Sequence, residues 1–158
     1  MSHPAFPYVP GNRALRKGRS SIPGSVYLIT VTTEHRAAVF IDFNRACVAS
    51  SSFTRPSVLG RNRLLAWVLM PDHVHWLLQL GNGEDLAKSV GRMKAVSARE
   101  VRRKRGWQDA VWASAFHDRT LRREEDLVAI ARYVVANPLR AGLVRAVREY
   151  PFWDAVWL

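Results

Sequence analysis

The run over residues 64–80, LLAWVLMPDHVHWLLQL, constrains this chain more than any other stretch. Outside its Pro71-Asp72 break it is strongly hydrophobic, with the composition of sheet core. The break predicts two strands, over 63–70 and 73–80, joined by a tight hairpin in preference to a bulge that redirects the chain. His73 and His75 lie in the second of them, one apolar residue apart. Side chains two apart on a strand project from the same face, so both imidazoles leave the sheet together. Two nitrogen donors on one rigid strand make half of a metal site. The alternative is a pair of strand-end histidines with ordinary hydrogen bonds.

The elements around this hairpin follow from periodicity and punctuation. Residues 25–33, SVYLITVTT, read as a strand from their β-branched and aromatic content. Asp42 is placed to cap a helix over 43–55, which Pro56 and Gly60 end. Beyond Gly81-Asn82-Gly83, residues 84–105 form the longest helical pattern, with Leu86, Val90, Met93, Val96 and Val101 as its apolar stripe. A fourth strand is expected over about 111–118. A helix follows over 122–137, with Glu124, Glu125 and Asp126 in its first turns and Pro138 as its boundary. Residues 139–147 form a further short helix that Gly142 weakens. Strand, helix, strand, strand, helix, strand is the order of an α+β ferredoxin-like β-α-β-β-α-β sandwich with an antiparallel sheet, followed by a C-terminal helix carrying Tyr133. Trp153 and Trp157 either pack over the core or stack on a partner.

That fold serves many functions, and charge narrows them. The 158 residues hold 24 Lys and Arg against 13 Asp and Glu, a net +11, so a polyanion is the natural partner. Residues 1–22 read as an irregular basic arm, with Arg13, Arg16, Lys17 and Arg19; it orders on a phosphate backbone or is a solvated tail. Residues 23–158 read as a single domain. The long helix carries Arg92, Lys94, Arg99, Arg102 and Arg103 off its apolar stripe, more cations than the helix dipole or solubility requires, so a phosphate-binding surface is favoured over a merely solvated face. No run approaches the ~20 apolar residues of a spanning helix. The first residues show no charged start followed by an apolar block, so no signal peptide is expected. Cys47 is alone, which excludes an internal disulfide and a cysteine-rich zinc site. A cytoplasmic location is expected.

Tyr133 lies in ARYVVANPLRAGLV, with Asn137 four residues on, so both side chains share one helix face about 5–6 Å apart at Cβ. Taken alone, Tyr133 is better explained by a packed ring with an exposed hydroxyl, and Asn137 could be no more than a helix terminus. Together the motifs are specific. MPDHVHWLL resembles the histidine-hydrophobic-histidine motif of single-tyrosine HUH transposases. ARYVVANPLRAGLV is similar to the tyrosine helix of one branch, the REP-associated tyrosine transposases. HDRTLRREEDL, EYPFW and the opening strand with EHRAAVF resemble that branch too, so the likeness covers roughly residues 24–154.

The resemblance implies a function. His73 and His75 would hold a divalent cation, Mg²⁺ or Mn²⁺, with Asn137 as third ligand where related transposases commonly have glutamine. Tyr133 would attack a phosphate in single-stranded DNA, giving a 5′-phosphotyrosine link and a free 3′-hydroxyl. The implied partner is hairpin-forming, REP-type palindromic DNA, which the enzyme nicks and rejoins. Arg140, within N-P-x-R-A-G, would touch phosphate or cap the preceding helix. His117 and Asp118 could add to the site, whereas Asp72 alternates to the opposite face and is left out of the ligand set. A monomer is favoured over a dimer that shares its active sites, with the nucleoid as the site of action. The competing readings are a non-catalytic hairpin binder or repressor, and an RNA-binding module that uses sheet aromatics; the latter leaves the histidine pair unexplained.

Overall fold

In a computed structural model, the described residues are 21–122 and 125–158. They form β1 (Val26–Thr32), α1 (Phe43–Phe53), α2 (Pro56–Leu59), β2 (Arg63–Met70), β3 (His73–Gln79), α3 (Leu86–Arg105), β4 (His117–Thr120), α4 (Leu127–Val135), α5 (Asn137–Arg140) and β5 (Trp153–Ala155). The sheet order is β4-β1-β3-β2-β5, and every neighbouring pair is antiparallel. The first four strands have the ferredoxin-like order, and β5 extends the sheet beside β2. Pro71 and Asp72 make the expected hairpin.

Alternation along the strands sorts the core into two layers. Tyr27, Ile29 and Val31 of β1 and Val74, Trp76 and Leu78 of β3 face α1 and α3, where they meet Phe53, Val90 and Met93. Val26, Val68, Met70 and Leu77 face the other way and pack under Ile130, Ala131, Val134 and Val135 of α4. His73 and His75 share the parity of Leu77. The histidine pair therefore projects on the α4 side of the sheet, the side on which the tyrosine helix lies.

Caps fix the helices. Asp42 accepts the Arg45 N–H at 2.9 Å, and Asp85, one residue inside the expected start of the long helix, accepts that of Lys88 at 2.8 Å. The Ser21 hydroxyl accepts the Leu86 N–H at 2.8 Å, so the end of the expected arm is docked on α3. Gly106, in the left-handed region at φ 64°, closes α3.

Several boundaries differ from expectation, each for a local reason. The helix expected over 122–137 starts at Leu127, because Asp126 takes the N–H groups of Val128 and Ala129. Fourth-strand pairing runs over His117–Thr120 instead of 111–118. Trp112 makes only an isolated bridge to Thr33, and the carbonyls of Ala113 and Ser114 bind the Lys94 ammonium before the chain rejoins β1. The helix expected over 139–147 ends at Arg140, since Gly142 at φ 73° lets the Leu143 N–H turn back to the Pro138 carbonyl at 2.9 Å. Residues 153–155 pair with β2, a strand too short to show period-two patterning. Trp153 donates its indole N–H to the Val147 carbonyl at 3.1 Å and packs on the α4-side core.

Candidate active site

β3 sits at the centre of the sheet, which gives its side chains the most rigid mounting the fold offers. His75 pairs with Thr30 of β1 and Val68 of β2; His73 pairs with Thr32 and Met70. The two imidazole centroids are 4.9 Å apart with ring planes at 79°. Each ring has its Nδ1 engaged by a neighbour. Thr30 Oγ1 lies 2.8 Å from His75 Nδ1, and Asp72 Oδ1 lies 2.8 Å from His73 Nδ1. Ionised Asp72 can only accept, so His73 Nδ1 carries the proton and Nε2 keeps its lone pair. The same tautomer of His75 results when its Nδ1–H donates to Thr30.

Asp72 is itself held. Arg36 reaches it at 3.1 Å from a turn in which His35 and Arg36 have φ of 54° and 55°. Its carbonyl accepts from the N–H and the hydroxyl of Thr33 at 2.9 and 3.0 Å, which pins the hairpin independently of the carboxylate. Burial pushes the Asp72 pKa up, but the hydrogen bond and charge of His73, with Arg36, bring it below the usual carboxylate value. Burial lowers His73 against the opposing pull of Asp72. Burial, with the charges of His73, Arg140 and Arg36, takes His75 down to about 3. Both imidazoles are thus neutral near pH 7, the state in which a histidine can ligate a metal.

The tyrosine helix approaches the same face of the sheet. α4 and α5 both pack on β2, and Ala136 joins them with helical dihedrals, so Tyr133 and Asn137 lie on one flank. Asn137 donates its amide N–H to the Val134 carbonyl at 3.0 Å, which leaves the amide oxygen as the group available to a ligand. The Arg140 guanidinium lies 3.7 Å over the Tyr133 ring, and its charge also bears on His75. Arg140 therefore covers the tyrosine ring and lies close enough to His75 to lower its pKa.

The other expected residues are distributed as follows. His117 pairs with Thr30, which places it in the row of His75 on the same face but two strand spacings away, roughly 10 Å. Asp118 alternates to the opposite face. Among the described residues no three His, Cys, Asp or Glu side chains converge as a metal-binding group. Arg92 binds the Val58 carbonyl and Glu84, bracing α2 against α3, and Lys94 is turned to Ala113 and Ser114. Arg99, Arg102 and Arg103 are exposed near the end of α3. Arg13, Arg16, Lys17 and Arg19 lie outside the described residues. Two neighbours of the pair were not anticipated as its partners. Adjacency in the PDH triplet was a signal for Asp72, while Thr30 depends on a register between strands 45 residues apart.

The family described as "Transposase IS200 like" matches residues 25–137. An Escherichia coli relative, named REP-associated tyrosine transposase, is 26% identical over 139 residues, covering 85% of this chain and 78% of the relative. A Haemophilus influenzae relative, provisionally given the same name, is 26% identical over 98 residues; the chain spans 56% of its length, and the match covers 56% of this chain. A solved structure of a REP-associated tyrosine transposase bound to a REP hairpin has a TM-score of 0.65 and 21% identity, covering 84% of this chain and 78% of that one. It shares the fold described above.

Proposed function

This chain belongs to the IS200-like transposase family, and from that premise we propose that it nicks and rejoins hairpin-forming, REP-type single-stranded DNA through a 5′-phosphotyrosine intermediate. The observation that carries the reading is the position of Arg140, which covers the Tyr133 ring and bears on His75. It supports a reading in which the tyrosine helix serves the histidine pair of its own chain, as a monomer requires.

The Tyr133 oxygen forms a bond to phosphorus and loses its proton, while the bond from phosphorus to the 3′-oxygen breaks and that oxygen takes up a proton. The strand then ends in a free 3′-hydroxyl, and its 5′-phosphate stays on the protein as an ester. Because that ester keeps the phosphodiester bond's energy, attack by a 3′-hydroxyl reverses the step without ATP. Arg140 supplies positive charge beside the tyrosine, where the phosphate's negative charge builds up. The donor set fits a divalent cation: two neutral imidazoles with Nε2 directed away from their hydrogen-bonded Nδ1 atoms, and the Asn137 amide oxygen. Such mixed nitrogen and oxygen ligation suits Mg²⁺ or Mn²⁺. When bound there, the ion supplies Lewis-acid polarisation of the phosphate. Asp72 and Thr30 hold the two rings in orientation, and the packed sheet beneath excludes water from their inner edges.

Residues 23–158 act as the catalytic domain. The basic arm, with Arg13, Arg16, Lys17 and Arg19, and the α3 cations Arg99, Arg102 and Arg103 grip DNA backbone. Among the described residues no helix is long and apolar enough to cross a membrane, and the chromosome in the cytoplasm is the site of action. The test is a labelled single-stranded hairpin incubated with Mg²⁺ or Mn²⁺ and run on a denaturing gel. A covalent adduct is expected that Tyr133→Phe abolishes and that requires His73 and His75. An adduct that persists in Tyr133→Phe sinks the assigned nucleophile. Tight, salt-sensitive hairpin binding without any adduct returns the repressor reading.

A further inference from the structure

The turn that follows β1 is strained at two positions without glycine. His35 and Arg36 are consecutive left-handed residues, at φ 54° and 55°, a region in which a Cβ is costly. Bonds around the turn hold it in that shape. The Glu34 N–H donates to the Val111 carbonyl at 3.0 Å, the Arg36 N–H to the Thr33 carbonyl at 3.1 Å, and the Thr33 hydroxyl to the Ala37 carbonyl at 2.7 Å. The turn brings Arg36 within 3.1 Å of Asp72, yet the arginine side chain stays 59% exposed. An ion pair so open returns less than two left-handed residues cost. Strain that stability does not offset marks a functional position.

Asp72 offers one carboxylate oxygen to His73 Nδ1 and the other to Arg36. The guanidinium therefore lies at the hairpin end of the histidine pair, and its charge reaches both rings. A phosphate held opposite Nε2 of His73 would lie across the ring from Asp72, out of the direct line of Arg36. A guanidinium has five N–H donors in a planar fork. Asp72 meets one of its nitrogens, and the exposure of the side chain leaves others for an anion from solvent. We infer that Arg36 binds the phosphate next to the one that is cut, in the single-stranded part of the DNA, and is thus a substrate-positioning residue. The inference rests on the reading above for the substrate and adds a contact which that reading does not contain. Arg140 serves the scissile phosphate beside Tyr133, while Arg36 fixes the strand one nucleotide away. Together the two contacts set which bond lies against the tyrosine hydroxyl.

The experiment measures binding in EDTA, where it is independent of Tyr133 chemistry. The full chain is titrated, by fluorescence anisotropy, against a hairpin with a single-stranded extension. Each phosphate of the extension is replaced in turn by an uncharged methylphosphonate. At one position the replacement should weaken binding by the parent about 5- to 20-fold and binding by Arg36→Gln less than about twofold, with the other positions alike in both proteins. The denaturing gel maps the cut, and the coupled position should be its immediate neighbour. Arg36→Lys, which keeps the charge without the planar fork, should recover part of the coupling. Mn²⁺ calorimetry on Arg36→Gln should give an affinity within about threefold of the parent, since the Asp72–His73 bond remains. Equal effects in parent and Arg36→Gln at every position overturn the inference, as does coupling at the cut phosphate or beyond its neighbour, or no hairpin binding by the parent. A tenfold loss of Mn²⁺ affinity with no coupled phosphate also overturns it and makes Arg36 a brace for Asp72. Absence of the covalent adduct would sink the tyrosine chemistry, whereas a coupled phosphate in the extension would still place Arg36 on the single strand.

Discussion

Asp72→Ala isolates the one hydrogen bond that orients His73. The carboxylate accepts from His73 Nδ1 at 2.8 Å, with the imidazole side chain 17% exposed and the carboxylate 31% exposed. A hydrogen bond to a charged partner is worth about 1.5–3 kcal/mol when shielded, and partial exposure brings this pair to about 1–2 kcal/mol. Without it the ring loses its fixed tautomer and turns more freely. Removal of such an outer partner weakens metal binding by about 10- to 100-fold, or about 1.4–2.7 kcal/mol, which agrees with the value from the contact itself. Titration calorimetry with Mn²⁺ reads the loss directly, on a protein that need not turn over. Fold is the necessary control. The carboxylate also meets Arg36 at 3.1 Å, a half-exposed pair worth less than about 1 kcal/mol, while the turn itself is kept by Thr33 through the Asp72 backbone carbonyl. The metal-free variant should therefore stay folded and lose about 1–3 kcal/mol of stability in urea, the two lost contacts together. Asp72→Asn, which keeps an acceptor, should fall between the two. An Mn²⁺ affinity within twofold of the parent in Asp72→Ala, with His73→Ala still abolishing binding, refutes the argument.

Three further outcomes follow from the same geometry. The His75 pKa is lowered to about 3, so the folded state stays neutral where the unfolded chain takes up a proton. The resulting stability is complete above pH 6.5 and lost as pH falls, at about 1.4 kcal/mol per pH unit over 6.5 to 5, before carboxylates titrate; urea midpoints of metal-free protein should show this dependence weakened in His75→Gln. Arg140→Gln should cut the rate of adduct formation at least about tenfold, and Arg140→Lys should not restore it, because a planar guanidinium covers the tyrosine ring; single-turnover gels read both. Gly81→Ala drives a Cβ into the Arg61 backbone carbonyl and should cost about 1–3 kcal/mol, whereas Gly91→Ala, with open space in mid-α3, should stabilise by about 0.5–1 kcal/mol by urea denaturation.

The parts of this molecule legible in its sequence are those with local causes. The Pro71-Asp72 break marked the hairpin, strand alternation gave His73 and His75 their shared direction, and capping by Asp42 was readable from its place before the helical pattern. The order of the first four strands followed from the succession of elements. Features built by distant residues were not legible. Thr30 beside His75 depends on the β1–β3 register, and Arg140 over Tyr133 depends on how α5 settles after the Pro138 break. Charge patterning marked α3 as basic but could not tell Arg92 and Lys94, turned to backbone carbonyls inside the fold, from Arg99 and Arg102 on its rim. The same composition serves bracing and binding, and only packing separates them.

β5 is three residues long, yet it lies against the most apolar strand of the α4 layer. Ala66, Trp67 and Val68 pair with Ala155, Asp154 and Trp153, and the Leu69 N–H is taken by the Phe152 carbonyl at 2.9 Å. Without that cover, β2 would present a flat, unpaired hydrophobic edge, the kind of surface on which separate chains add to one another as strands. Asp154 puts a charge in the middle of the covering strand. The segment that escaped period-two detection thus serves as a guard against aggregation, and its loss would be felt first as insolubility during synthesis, ahead of any defect in the chemistry of Tyr133.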